Sequence, residues 1–461
     1  MIKRRIFCLL LAVALLMGLA GVTVSATEIT NPGNALECIG LDAQYSFLGN
    51  TALIDNAESV ILYETNSDIL MYAWNADARI YPASLVKIMT ALLAVEQGKL
   101  TDMVVVKENV LSSVPSSAIS VDLQVDELLT LEDLLHCMMV ASANDAAAVI
   151  ADHISGSVDA FVSAMNERAT QIGCKDTAFT NVHGLHDDDQ YSTARDVAKI
   201  LAVASQNEAF MNVFSAISYD VAATNKSEER FLSSGNYIMN NDDVQIYYDS
   251  RVTGGRTGTD KNGLRCLATT ATSNGLNYIA VVTGSESVYE RDGYTIRSFG
   301  SYNETKKLLD LGFNGNSHGQ VFFKGQSLKQ VPVLNGENDV VLAASSDVFA
   351  IVPQNAPLSY RYNDNTEIRA PIEQGEVLST VEVWCNGMCI AQTDLYAMHS
   401  VSVAGTSYTT IDNSQQWYEI LIKVVVIILI VTGIGFAGFV IYRRSNLKKP
   451  RISRTPKKKE H

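Results

Sequence analysis

Histidine and cysteine are scarce in this sequence, with seven of each among 461 residues. The histidines are scattered, and no His cluster lies near a cysteine pair at the spacing that zinc ligands require. The sequence therefore argues against a zinc site, and it predicts no metal or other cofactor. Cys8 lies in an N-terminal apolar run, and the sequence does not choose how the six others pair. These six are Cys38, Cys137, Cys174, Cys266, Cys385 and Cys389.

Positive charge is also in short supply. Lysine and arginine total 35 against 50 aspartates and glutamates, which gives a formal net charge of −15. The first 26 residues carry +3 and the residues after Tyr442 carry +8, so residues 27–442 carry −26. The sequence has no internal repeats and no long low-complexity segment. So acidic a chain is a poor partner for a phosphate backbone, and we expect no nucleic-acid binding.

The first 26 residues are typical of a secretory signal peptide. Basic residues at positions 3–5 precede an apolar stretch at 6–18, and Val24-Ser25-Ala26 offers a small-residue cleavage site. The alternative is an uncleaved segment that anchors the chain in the membrane, and the small residues at the cleavage site argue against it. Residues 27–50 form a polar leader with little pattern.

Residues 420–442 are predicted to form one transmembrane helix. Val424 to Tyr442 is a run of 19 residues without a charge, about 28 Å long as a helix, which matches the hydrocarbon core of a bilayer. Nine lysines and arginines follow in the tail 443–461. The positive-inside rule then places the tail in the cytoplasm and the rest of the chain outside the membrane. A buried helix of a soluble protein is the alternative, against which the length and basic flank argue.

Between these ends the sequence predicts two folded units. In residues 51–315, strand-like segments at both ends enclose a middle whose apolar spacings of three and four are typical of helices, which predicts an α/β fold. The predicted strands are 59–63, 69–74, 264–272 and 277–284, the helical segments are 84–98, 131–155, 158–172 and 193–204, and an amphipathic stretch at 302–311 closes the unit.

Residues 317–405 contain short β-branched segments separated by Gly, Asn and Pro, which predict a small all-β domain. Its role would be a stalk above the membrane or a docking face. Within it, Asn386-Gly387 predicts a hairpin turn, and a disulfide between Cys385 and Cys389 is compatible with it.

Ser84 and Lys87, in the run Tyr81-Pro-Ala-Ser-Leu-Val-Lys, stand three residues apart at the predicted start of a helix. Residues i and i+3 share one helix face, so the amine can reach the hydroxyl. If burial keeps that amine neutral, it can take the serine proton. A surface serine and lysine on an ordinary helix is the alternative.

Two further motifs follow in the chain. Ser142-Ala143-Asn144 lies between two helical patterns, where Ser142 could relay a proton and Asn144 could bind a substrate amide; helix capping is the alternative. Arg256-Thr257-Gly258 begins a predicted strand, where glycine allows a substrate backbone to approach and the guanidinium could bind a carboxylate. An exposed arginine at a hairpin is the alternative for that segment.

The order Ser-x-x-Lys, Ser-x-Asn and basic-Thr-Gly is the signature of the serine penicillin-recognising enzymes. Together with Thr180-Asn-Val-His-Gly-Leu185 and Thr305-Lys-Lys-Leu-Leu-Asp-Leu-Gly-Phe313, the chain resembles the D-alanyl-D-alanine carboxypeptidases, the low-molecular-mass penicillin-binding proteins. The resemblance implies a β-lactamase/transpeptidase-like domain, in which an antiparallel sheet flanked by helices meets an all-helical part at the catalytic cleft.

The resemblance also implies a role for each motif residue. Ser84 would form the acyl-enzyme with peptidoglycan stem peptides ending in D-Ala-D-Ala, or with β-lactams, and Lys87 would be its base. Ser142 would carry the proton to the leaving D-alanine. Substrate binding would fall to Asn144, Arg256, Thr257, Gly258 and Thr259, with the backbone N–H groups of Ser84 and Thr259 forming the oxyanion hole. We expect His183 to shape a loop near the cleft.

The chain departs from the family at Arg256, where lysine is usual, and at Ala143, where glycine is common. Arginine keeps the charge but cannot relay a proton. Arg297 is a candidate for a second cation beside it. Two alternative functions stay open: a β-lactamase, for which the nearest deacylating glutamate is Glu208, and a catalytically silent wall-binding or sensor protein on the same fold.

Overall fold

The computed structural model describes residues 40–43, 46–48, 54–241, 245–292, 296–353, 356–363, 367–405 and 413–446. The predicted signal peptide (1–26), most of the leader (27–50) and the tail beyond Asn446 lie outside the described residues. These three assignments stay predictions.

The first unit is organised around a five-stranded antiparallel sheet. The strands of this unit are β1 Ser59–Glu64, β2 Ile69–Trp74, β3 Met103–Val105, β4 Leu128–Thr130, β5 Ser218–Val221, β6 Arg230–Ser233, β7 Val252–Thr259, β8 Arg265–Ser273, β9 Leu276–Ser285, β10 Ser287–Tyr289 and β11 Ile296–Phe299. The central sheet has the order β2-β1-β9-β8-β7, so strands from both ends of the unit lie side by side, as predicted.

Helices from the middle of the unit cover this sheet. They are α1 Val86–Gln97, α2 Glu108–Leu111, α3 Leu131–Val140, α4 Asn144–Ser155, α5 Val158–Ile172, α6 Ala194–Ala204, α7 Glu208–Phe214 and α8 Gly300–Phe313. The predicted 131–155 helix is two helices, α3 and α4, because the chain turns at Ser142, whose φ is +65°. The polar step that separates two helical patterns is therefore present.

Alternation along the strands gives the sheet two apolar faces. Ile61 and Val281 belong to the cluster that contains the buried residues of α1, α3, α4 and α6. Leu62 and Val282 face the other way and pack with Leu308 of α8. The fold is thus an antiparallel sheet with helices on both faces plus an all-helical part, which confirms the predicted class.

The second unit is all-β, as predicted. Its strands are β12 Asn316–Phe322, β13 Ser327–Val331, β14 Val340–Ala344, β15 Val348–Pro353, β16 Leu358–Tyr362, β17 Val377–Cys385 and β18 Met388–Ala397. Five of them form a sheet of order β13-β14-β18-β17-β16, and β12 pairs with β15. The Asn386-Gly387 turn joins β17 to β18 with φ values of +49° and +83°, the backbone that an Asn-Gly hairpin favours.

The described cysteines Cys137, Cys174, Cys266 and Cys385 are free thiols, so the Cys385–Cys389 disulfide that the hairpin would permit is not formed. Burial raises the pKa of the Cys137, Cys174 and Cys266 thiols to about 12, which makes them poor nucleophiles at neutral pH.

The last described element is the long helix α9, Asn413–Asn446. Its segment Ile420–Ile441, 22 residues long, has the length and apolar composition needed to cross a membrane, and none of it is buried against the rest of the protein. At about 1.5 Å per residue the segment spans roughly 33 Å.

Candidate active site

The site begins at the turn that leads into α1. Ala83–Leu85 forms a short 3-10 helix, entered through Ala83 with φ of +48°, and α1 continues from Val86. Gly184 packs directly on this turn: a Cβ there would collide with the carbonyl of Ala83, and its own φ is +85°. The glycine therefore lets the loop carrying His183 lie against the turn that presents Ser84.

Lys87 lies on the first turn of α1 and is completely buried. Its Nζ is 3.3 Å from Ser84 Oγ, 2.8 Å from Asn144 Oδ1 and 2.6 Å from the carbonyl oxygen of His183. Burial, reinforced by the positive charge of Arg256 and opposed by Asp145, lowers the pKa of Lys87 well below 10.5. The amine is thus pushed toward its neutral form beside the hydroxyl.

These three contacts match the bonding capacity of a neutral amine. A neutral amine has two N–H groups and one lone pair. The Asn144 and His183 oxygens are acceptors and take the two N–H groups, whereas the Ser84 hydroxyl can donate to the lone pair. With its amine in the neutral form that burial favours, Lys87 thus faces Ser84 as an acceptor.

Ser142 stands at the corner between α3 and α4. Its Oγ is 3.5 Å from Ser84 Oγ, so the two hydroxyls face one another across the cleft. Asn144, at the start of α4, holds the other side: its Nδ2 donates to the carbonyl oxygen of Ile119 at 3.0 Å while its Oδ1 faces Lys87. One N–H of the Asn144 amide remains available to a ligand.

Arg256 points from β7 into the same cluster and is only 5% exposed. Its Nη2 donates to Ser142 Oγ, its Nη1 to the carbonyl oxygen of Met139 at 2.8 Å and its Nε to the carbonyl oxygen of Ser84 at 3.3 Å. Burial lowers the pKa of the Arg256 guanidinium to about 10, so it remains charged at neutral pH. The guanidinium thus ties the three motifs together, with one N–H left on each terminal nitrogen.

The remaining residues of the third motif form the edge of the cleft. A Cβ at Gly258 would lie 3.1 Å from both Ala83 Cβ and the backbone nitrogen of Ser84, so glycine allows β7 to approach the Ser84 turn closely. Thr257 and Thr259 flank it on the opposite face of the strand, where Thr257 is partly buried and Thr259 is exposed.

The cleft has a volume of about 540 Å³, and all the predicted site residues except the buried Lys87 line it. Glu208 is not among its lining residues; it lies in the first turn of α7. Within the part of the chain that the structure describes, no three His, Cys, Asp or Glu side chains are grouped closely enough to hold a metal ion.

Sequence reasoning missed two features of the cleft. The first is the backbone carbonyl of His183, which binds Lys87; the Val-His-Gly-Leu run that supports the family resemblance was the only available signal. The His183 ring accepts a hydrogen bond from the backbone nitrogen of Leu185, and burial together with the charge of Lys87 lowers the pKa of the ring to about 4.

The second feature is Arg265, which lines the cleft, whereas Arg297 is exposed on β11 outside it.

Comparison with known proteins agrees with this geometry. Residues 50–287 match the family model of D-alanyl-D-alanine carboxypeptidases, and residues 317–402 match that of the C-terminal domain of penicillin-binding protein 5. The D-alanyl-D-alanine carboxypeptidase DacA of Haemophilus influenzae is 32% identical, over 80% of this chain and 92% of that protein. DacF of Bacillus subtilis is 28% identical, over 77% of this chain and 88% of that protein.

Among solved structures, penicillin-binding protein 5 from Haemophilus influenzae superposes with a TM-score of 0.60 at 30% identity, covering 77% of this chain and all of that chain. The two matching regions correspond to the α/β unit and the all-β unit described above. The resemblance drawn from the three motifs is confirmed: the chain belongs to the family of serine-type D-alanyl-D-alanine carboxypeptidases.

Proposed function

We propose that this protein removes the terminal D-alanine from peptidoglycan stem peptides ending in D-Ala-D-Ala through an acyl-enzyme on Ser84. The observation that carries the proposal is the buried Lys87 amine, 3.3 Å from Ser84 Oγ and hydrogen-bonded to two acceptors. A neutral amine held in this way takes the Ser84 proton as Oγ attacks the carbonyl carbon between the two D-alanines.

The proton then needs a route to the leaving group. Ser142 Oγ, 3.5 Å from Ser84 Oγ, passes its proton to the departing D-alanine nitrogen and takes up in its place the proton that Lys87 removed from Ser84; the C–N bond breaks and Lys87 is neutral again. The backbone N–H groups of Ser84 and Thr259 hold the oxyanion while it exists. Water then attacks the acyl carbonyl, Lys87 again serving as the base, and Ser84 is regenerated.

Substrate contacts come from the edges of the cleft. Asn144 offers its remaining amide N–H to the peptide. Arg256 contributes its charge and its two unused N–H groups, and Thr257 its hydroxyl, toward the terminal carboxylate. Gly258 keeps β7 close enough for the substrate backbone to lie along the strand. A β-lactam would acylate Ser84 by the same route, and its acyl group would be hydrolysed from Ser84 more slowly.

The protein would act at the outer face of the cell membrane. The helix Ile420–Ile441 would anchor it, the signal peptide 1–26 would direct export, and the basic tail 443–461 would remain in the cytoplasm. The all-β unit, predicted to span 317–405, would then stand between the membrane and the catalytic unit as a stalk.

The test is a paired assay on the detergent-solubilised full chain and its Ser84→Ala variant. We expect the wild type to release D-alanine from a peptide ending in D-Ala-D-Ala. It should also gain the mass of one labelled penicillin in intact-mass analysis, and the variant should do neither. Rapid penicillin hydrolysis without a lasting adduct would indicate a β-lactamase, and inactivity in both assays would indicate a silent wall-binding protein.

A further inference from the structure

Resting on the proposed function, we propose that Arg265 is a specificity-determining residue that binds the terminal carboxylate of the substrate, beside Thr257 and Thr259. The three motifs do not include this arginine. Arg265 would make the main ionic contact with the leaving D-alanine, while Arg256 would add its unused N–H groups and hold Ser142 and the Ser84 turn in position.

The cations that line the cleft differ in what they already bind. Arg256 donates to the carbonyl oxygens of Met139 and Ser84 and to Ser142 Oγ. Lys261 Nζ lies 3.0 Å from an oxygen of the Asp188 carboxylate and 2.7 Å from His186 Nε2, which neutralises it locally. Both therefore already bind protein groups before a substrate enters, and Arg256 keeps only one N–H on each terminal nitrogen for a ligand.

Arg265 differs from both, because its guanidinium has no such hydrogen bond or ion pair within the described ranges. Its Nε is buried without a hydrogen-bond partner, and among the described residues no acidic side chain pairs with its guanidinium. Removing water from an unpaired guanidinium at a cleft wall costs free energy unless an anion binds to it. A substrate carboxylate would supply that anion with the fork geometry that a guanidinium prefers.

The position of Arg265 on the sheet places it within reach of the substrate's end. In the β7–β8 register it lies directly opposite Thr259. Thr257, two residues before Thr259 on the same face of β7, is its diagonal neighbour. Cross-strand neighbours on one face are about 5 Å apart at Cβ and diagonal ones about 7–8 Å, distances that an arginine spans. One carboxylate can therefore contact the threonine hydroxyls and this guanidinium together.

An aromatic platform holds the Arg265 side chain in place. Its guanidinium carbon lies 4.8 Å from the centre of the Phe299 ring, and Phe299 packs edge-on against the buried Tyr302, 5.6 Å between ring centres. A ring beneath the guanidinium restricts its rotamers while leaving its outer N–H edge open. The arginine is thus oriented before the carboxylate arrives.

The experiment uses two thioesters that share the N-acyl-D-alanyl group. One has thioglycolate as the leaving group, with a free carboxylate, and the other has its methyl ester. We expect the wild-type full chain in detergent to prefer the carboxylate form in kcat/KM. Arg265→Gln should reduce that preference by about 10- to 100-fold, the worth of a charge-assisted bidentate contact. The loss should fall mainly on the carboxylate substrate, and Arg265→Lys should restore part of it.

Arg297→Gln is the matched control, because it removes an exposed arginine from the neighbouring strand β11 and should leave the preference at its wild-type value. An Arg265→Gln variant that keeps the wild-type preference would overturn the assignment. So would one that loses equally on both thioesters, since that loss would mean a structural role. A wild type that cleaves neither thioester would instead overturn the proposed function on which the assignment rests.

Discussion

Replacing Lys87 by methionine is predicted to remove the base from the site while filling nearly the same volume. General-base contributions are typically about 100- to 10,000-fold, or roughly 3–5 kcal/mol of activation free energy. We therefore expect penicillin to acylate Ser84 slower by that factor in Lys87→Met, as followed by stopped-flow fluorescence or gel labelling. Lys87→Arg should be equally slow, because its guanidinium stays protonated.

The same variant should change how stability depends on pH. Burial first, and the charge of Arg256 second, lower the native pKa of Lys87 well below 10.5, whereas the unfolded chain keeps the ordinary value. Between these two pKa values the unfolded state holds one more proton than the native state. The free energy of unfolding then rises by about 1.4 kcal/mol per pH unit through this residue alone. The contribution is complete above pH 10.5 and is lost as the pH falls toward the native pKa.

The assay is urea unfolding of the detergent-solubilised protein at about pH 7.5 and about pH 9, for wild type and Lys87→Met. The wild type should gain stability relative to the variant as the pH rises, by up to the slope given above. Lys99→Met, which replaces an exposed lysine just beyond α1 and keeps Lys87, is the control and should show the same pH dependence as the wild type. Parallel pH dependences in wild type and Lys87→Met, together with near-normal acylation of the variant, would refute a neutral buried amine.

Three further outcomes follow from the geometry. Arg256→Lys should keep most D-alanine release and Arg256→Ala should lose much of it, because the positive charge and the contact with Ser142 matter more than the paired N–H groups of a guanidinium. Wild-type activity in both variants would remove Arg256 from the site. Gly258→Ala should slow acylation by about 10- to 100-fold, since its Cβ would press on the Ser84 turn; an unchanged rate would contradict that packing. A chain ending at residue 405 should leave the membrane fraction yet still bind penicillin; retention in membranes would argue against the anchor.

Much of the architecture was predictable because it depends on local periodicity. The segments 69–74 and 158–172 have the predicted bounds, and β1 extends the predicted 59–63 by one residue. The contact between Ser84 and Lys87 followed from three-residue spacing alone, even though Ser84 lies in a 3-10 turn and not in α1. A one-turn separation brings these side chains together in either helix type.

The parts that sequence reasoning missed depend on contacts between distant segments. The polar step at Ser142 was predicted, but the positive φ with which the chain turns there was not, because nothing in the apolar pattern of 131–155 fixes it. The His183 carbonyl reaches Lys87 only because Gly184 fits against the Ala83 turn, a contact across 101 positions of sequence. From the sequence alone, Arg265 is an ordinary residue of a predicted strand. The pairing of β7 with β8 places it opposite Thr259, where it lines the cleft.

The pH dependence of Ser84 acylation in the wild-type protein is the most direct test of Lys87 as the base. The rate constant for penicillin acylation should rise with pH along a limb that reports deprotonation of Lys87. Because burial and Arg256 depress that pKa, the midpoint of the limb should lie well below 10.5. A midpoint near 10.5 would mean that the amine is solvated and charged at neutral pH, and would contradict its assignment as the base.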